Sequence, residues 1–252
     1  MRRILLALAA AAALWALWWP LIAWRSTATT EAWLEARRDA GWQAEWDTVS
    51  VSGFPLAYVR RIGAPALADP GTGWAWRAEE VTLARARHPA LAQPGLVVSF
   101  PAEQEVRTPW QRLTVTGAPL QAELMLEGAE ARLGGATLEA RALEIASDAG
   151  WRMALASGRL TALAAEAAPE VVTLTLSAAD LALPQGTARA LRGADLAPDT
   201  MQRLEAEAEV TFDRAWDLRA LEERRPQPRR IVVEDAALRW GALELRVAGT
   251  LE

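Results

Sequence analysis

Few residues in this chain could do chemistry, and their spacing is that of strands. Glu103 and Glu105 lie two apart, as do Glu205, Glu207 and Glu209. On a strand such residues share a face, and paired carboxylates can move protons or hold a divalent cation. No partner for either task is legible beside them, so they read as a solvated polar face. The single histidine, His88, sits in Arg85-Ala86-Arg87-His88-Pro89, a strand end entering a turn. One histidine cannot build a histidine-rich zinc site, and no G-x-S-x-G elbow accompanies it for a triad. Cysteine is absent and all 27 basic residues are arginine. That excludes thiol catalysis, disulfides, a Schiff-base lysine and a P-loop lysine. The expectation is a non-enzyme with no catalytic residue, no metal site and no cofactor. A net charge of −5 does not point to a nucleic-acid partner.

Tryptophan carries the remaining signal. Trp74 and Trp76 are two apart, so a strand presents both indoles on one face. They follow the turn Asp69-Pro70-Gly71-Thr72-Gly73, in which Asp69 favours turn initiation and the glycines permit positive φ. With Trp42 and Trp46 they form core packing, a membrane-interface platform or the wall of a lipid groove, since indole is largely apolar yet keeps one N–H donor. Trp74 and Trp76 are the candidate ligand-binding residues. Gly53-Phe54-Pro55 reads as a sharp turn with Phe54 in the core. The charge-dense stretch Glu222–Arg230 reads as an exposed linker that could touch anionic headgroups.

The elements that must position these residues begin with an uncharged run, Ile4 to Trp24, behind Arg2 and Arg3. At about 1.5 Å per residue it can cross a hydrocarbon core of roughly 30 Å. A cleaved signal peptide is the alternative, with a small-x-small site at Ser26-Thr27-Ala28. The run exceeds an ordinary signal h-region, and Trp15, Trp18, Trp19 and Trp24 crowd its second half like an interfacial belt. Residues 1–25 are therefore expected to be a single-pass inner-membrane anchor. Arg2 and Arg3 stay in the cytoplasm and the body faces the periplasm.

Residues 26–41 read as a helical stalk, capped by Thr30 and ended by Gly41. Residues 42–252 read as a mainly β domain, a curved antiparallel sheet with few short helices. Gln121–Glu127, Val171–Ser177 and Gly241–Val247 alternate apolar and polar, as half-buried antiparallel strands do. Gly and Pro clusters, including Gly134-Gly135, read as separators between strands. Asp195–Leu204 and Asp213–Arg225 read as short helices. The last strand reaches Glu252 without a turn, and a C-terminally truncated chain is expected.

Several segments, in order, resemble one family. They are Ala32–Arg38 with Gly41–Glu45, then Gly53-Phe54-Pro55, Pro65–Trp76, Phe100–Gln104, Thr108–Arg112, and Ala237–Leu245 with Gly249-Thr250-Leu251. Together they resemble the domain of unknown function 2125 family of diderm bacteria, over nearly the whole chain. The resemblance implies an inner-membrane anchor and an envelope-facing β-rich body, and it supplies no catalytic residues. Members of that family continue past the point where this chain ends. A looser likeness of architecture is to envelope proteins that pair one membrane helix with a long curved sheet and handle lipid. The expected function is non-catalytic binding of lipid or another envelope component. A structural tether is the alternative, and a periplasmic hydrolase the less favoured one. A continuous apolar groove favours lipid over the tether, and a buried convergent carboxylate cluster favours the enzyme.

Overall fold

The computed structural model describes residues 23–54, 58–87, 94–128, 132–186, 198–217, 220 and 226–251. A helix, α1 (23–39), leads in. The strands follow: β1 (Gln43–Glu45), β2 (Thr48–Ser52), β3 (Val59–Gly63), β4 (Ala66–Asp69), β5 (Trp74–Ala78), β6 (Glu80–Arg87), β7 (Pro94–Ser99) and β8 (Glu103–Arg107). Then come β9 (Arg112–Thr116), β10 (Gln121–Glu127), β11 (Arg132–Ser147), β12 (Arg152–Ala165), β13 (Ala168–Ala182), β14 (Thr200–Phe212), β15 (Pro228–Trp240) and β16 (Leu243–Leu251). Every described strand belongs to one antiparallel sheet.

The order is that of a meander with interrupted strands. β4 pairs β1 and β3 pairs β2 in one continuing register, so β1–β2 and β3–β4 are each one long strand broken near the middle. β5–β6 continues in the same way beside β3–β4, and β7–β8 and β9–β10 follow in turn as broken strands whose register shifts by one residue at the break. β11 spans both halves, pairing β10 with its first part and β9 with its last. From there β12 to β16 add one neighbour at a time.

The breaks line up across the sheet as a crease. Ala64, Ala142 and Asp180 adopt positive φ there, as does Gly117. Backbone bonds still bridge it, from Ala64 N to Glu79 O at 2.7 Å, Phe100 N to Leu120 O at 2.9 Å and Ala118 N to Arg141 O at 3.0 Å. A left-handed residue within a strand resets the alternation of side chains and bends the strand. Gly117 is glycine for a second reason: a Cβ there would stand 2.5 Å from Ala142 O.

Directly paired residues share a face, so the register separates the two sides of the sheet. One row runs Val51, Arg60, Leu83, Val98, Ala122, Leu138, Leu160, Leu176, Ala206, Ala236, Val247. Its neighbour runs Arg85, Leu96, Leu124, Ala136, Ala162, Leu174, Ala208, Val233, Gly249. The opposite face carries Ser50, Arg61, Thr82, Ser99, Gln121, Glu139, Arg159, Ser177, Glu205, Ala237 and Arg246. One side is aliphatic across the sheet and the other is polar.

Past the crease the apolar side changes parity: Ala140 gives way to Leu143, Ala178 to Leu181, and Leu204 to Met201. Buried Met201 and Trp240 pack with Leu181, Leu183, Leu204 and Leu238, so residues of both parities meet on one side.

α1 packs back onto this sheet. Ser26 Oγ accepts from Arg60 Nε (3.0 Å) and Nη2 (2.7 Å), and Thr30 and Leu34 are buried one and two turns on. Positions 26, 30 and 34 form an i, i+4, i+8 stripe whose two small residues permit close approach. The helix expected at 26–41 is thus observed at 23–39, and it is docked on the sheet instead of standing as a free stalk. The expected anchor, 1–25, lies outside the described residues except for its last three. Among the described residues no helix is long and apolar enough to cross a membrane.

Other expectations are corrected. Residues 200–204 of the expected helix at 195–204 are strand, and of the expected helix at 213–225 residues 213–217 are not helical while Ala220 is. Gly134-Gly135 lies inside β11, where a Cβ on either glycine would collide with the Glu127 or Met125 side chain of β10. Phe54 is 52% exposed instead of core, although Gly53 does turn the chain with φ 105. His88, Pro55 and 222–225 lie outside the described residues.

Candidate apolar binding face

The turn before Trp74 forms as its residue types require. Asp69 accepts from Gly71 N (Oδ1, 2.9 Å) and Thr72 Oγ1 (Oδ2, 2.8 Å), and Gly73 N donates to Asp69 O at 2.8 Å. Gly73 takes φ 72 to turn the chain into β5. Asp69 pairs Trp74 and Leu67 pairs Trp76, so both indoles fall on one face. They line a cavity of about 380 Å³ with Trp42, Leu67 and Val106.

The two differ in environment. Trp76 donates from Nε1 to Gln104 Oε1 at 3.0 Å and meets Phe100 edge-on at 6.0 Å. Gln104 is buried and donates in turn to Pro101 O, so Trp76 is part of a satisfied, packed network. Trp74 is 49% exposed and open to the cavity. Trp46 instead stacks under the Arg38 guanidinium, 4.2 Å from its ring centre.

The apolar rows extend this face far beyond the tryptophans. α1 covers one end. At another, Phe212 and Trp216 stack edge-on at 5.5 Å and wall a cavity of about 230 Å³ with Leu133, Ala162, Ala164, Val172 and Leu174. Between the two the face is open: Leu138 is 39% and Leu160 is 41% exposed, though they pair directly in the middle of the sheet. At the edge, every residue of β16 is exposed, including Leu243, Leu245, Val247 and Leu251 on the apolar side. An aliphatic surface of this extent calls for something to cover it.

The polar face offers charges that are mutually neutralised. Glu105 pairs with Arg77 at 2.6 Å and Arg112 at 3.5 Å. Glu139 pairs with Arg159 and, at 3.8 Å, with Arg141. Glu205 takes Arg203 at 2.9 Å. Of the carboxylates singled out by spacing, Glu105 and Glu205 are thus held by arginines, while Glu103, Glu207 and Glu209 have no ion pair among the described residues. Among the described residues no cluster of three or more His, Asp or Glu could hold a metal.

Sequence reasoning found the indole pair and missed the rows. Their signal was the run of Ala, Val and Leu at alternate positions in every long strand, hidden by the change of parity at the crease. It also missed Arg60 and Arg85, the only charges in the two rows.

Over residues 19–252 the chain matches the model of the family described as an uncharacterized protein conserved in bacteria, DUF2125. The chain belongs to that family. It matches no curated protein and no solved structure.

Proposed function

We propose that this protein is a non-catalytic, membrane-anchored envelope protein whose sheet takes up lipid acyl chains along its apolar face. The observation that carries the reading is the row from Val51 to Val247, aliphatic apart from Arg60, with Leu138 and Leu160 half open at its centre. Each methylene removed from water contributes about 0.8 kcal/mol, so an extended alkyl chain is well suited to a smooth aliphatic strip. From β3 the row crosses β6, β7, β10, β11, β12, β13, β14 and β15 to β16. At about 4.8 Å per strand that is roughly 43 Å, longer than the roughly 15 Å of one bilayer leaflet's hydrocarbon. In this reading the uncharged run at Ile4–Trp24 holds the body at the periplasmic side of the inner membrane.

The test is photo-crosslinking of the full chain in its membrane with a lipid carrying a photoreactive acyl chain, followed by peptide mapping. Adducts should fall on the Leu138 and Leu160 row and not on Glu139 and Arg159 of the opposite face. Adducts spread equally over both faces, or none above background, would overturn the reading.

A second reading has its own observation. Among the described residues β16 has a partner on one edge alone, and its apolar side chains are exposed, as in a strand open to another. In that case the protein is an assembly element, and the same experiment yields protein–protein adducts at Leu243–Leu251 in place of lipid.

A further inference from the structure

We propose that Arg60 and Arg85 bind the phosphate of an anionic lipid headgroup whose acyl chains run along the apolar rows beyond them. This rests on the acyl-chain reading and adds where the polar end is held. The register places Arg60 opposite Leu83 and Arg85 two residues further along the same strand. Diagonal neighbours of this kind stand about 7–8 Å apart, within reach of one phosphate for two long side chains. Both lie on the apolar side, and each is the first member of its row to carry a charge.

Their surroundings set them apart from the arginines of the polar face. Arg61, Arg77, Arg159 and Arg203 each have a carboxylate partner. Arg60 instead donates Nε and Nη2 to the Ser26 hydroxyl, which neutralises none of its charge. Arg85 is exposed, with no hydrogen bond or ion pair among the described residues. Their neighbours on that face, Val51, Leu83, Leu96 and Val98, are aliphatic. Two guanidiniums without a carboxylate at the head of an aliphatic strip match an anion that carries an alkyl tail. Ser26 also puts the pair beside α1 at a point two residues past the end of the uncharged run. A headgroup entering from the membrane meets these arginines first.

The experiment titrates the full chain in detergent with fluorescent phosphatidylglycerol and with a fluorescent diacylglycerol bearing the same acyl chains and no phosphate. The wild type should prefer phosphatidylglycerol by about tenfold or more, the worth of a charge-assisted pair. Arg85→Gln should remove most of that preference, and Arg60→Gln with Arg85→Gln all of it, with diacylglycerol affinity held. Arg85→Gln disturbs no contact of the fold, so it keeps the test valid if the double variant misfolds. Equal binding of the two lipids by wild type, a preference undiminished in Arg85→Gln, or one that persists in a folded double variant, overturns the headgroup site and leaves the acyl reading standing. Failure of both lipids to bind wild type sinks the acyl reading and this one with it. Inorganic phosphate that fully displaces the probe at equal concentration would make the pair a free-phosphate site and overturn the lipid assignment.

Discussion

Replacing Leu138 and Leu160 together by Ala separates folding from ligand uptake, because each side chain is divided between the two. Full burial of a leucine is worth about 1.5–3 kcal/mol. The exposed 41% of Leu160 therefore leaves roughly 0.6–1.2 kcal/mol for a ligand to gain. The 39% of Leu138 leaves about the same. Lipid affinity should fall about three- to eightfold for Leu160→Ala alone. For the pair it should fall about eight- to sixtyfold if the terms add. The two are direct cross-strand neighbours, so a departure from additivity measures their coupling. The part of Leu160 already buried contributes about 1–2 kcal/mol to folding, a fall in Tm of about 2–8 °C for a domain of this size. Equilibrium binding of a fluorescent phospholipid and thermal denaturation read the two effects separately. A folded double variant with undiminished lipid affinity would refute the assignment of this face.

Trp76→Ala should cost about 3–5 kcal/mol, since it also strands the buried Gln104 amide, while the half-exposed Trp74→Ala should cost about half that; thermal denaturation of both variants decides, and equal losses would contradict the difference in packing. Ala142→Gly should be neutral or stabilise by up to about 1 kcal/mol, because glycine relieves the left-handed strain at φ 48 while losing more chain entropy. Ala142→Val should destabilise by more than 1–2 kcal/mol, roughly; a valine variant as stable as wild type would mean that the crease is not held at that residue. Phospholipid at about a hundredfold over its Kd should stabilise the chain by about 2.7 kcal/mol relative to detergent alone, and an unchanged Tm would count against a ligand of the native state.

The alternation at Gln121–Glu127 and Val171–Ser177 made β10 and β13 legible, because each stretch lies wholly on one side of the crease. Where a strand crosses the crease the code fails for a physical reason. The change of parity puts consecutive apolar-side residues three apart, as in Ala140 and Leu143, or Met201 and Leu204. Three is also the spacing of a helix face, so nothing in that spacing contradicts the helix that Pro198-Asp199 suggests within 195–204, though 200–204 is strand. Gly134-Gly135 misleads in the same way, since glycine marks both turns and places where a facing side chain crosses a strand. The indole pair was legible because a turn with an Asp69 cap fixes the phase of β5. Its depth was not, since only the fold brings Gln104 to Trp76 across 28 residues of chain.

The composition of the apolar face bears on what covers it. Protein partners are held by a few anchors, chiefly Trp, Tyr and Arg, set in pockets and ringed by polar groups that fix orientation. The central rows have none of these between Leu83 and Val247: the members are Ala, Val and Leu, with no side-chain donor or acceptor. Such a surface attracts but does not orient, and it discriminates poorly among shapes. That is a defect in a protein interface and no defect for a hydrocarbon chain, which has no polar groups to pair and can adapt its path to small residues. Of the aromatic groups that could orient a ligand, Trp74 and Trp42 wall a cavity outside the central strip, and the Phe212–Trp216 pair borders the second row at Ala162 and Leu174. The two unpaired charges of the rows stand at the head of the strip, beside α1. Orientation is thus confined to the margins and solvation to the middle, the division expected for an amphiphile with one charged end and a long apolar tail.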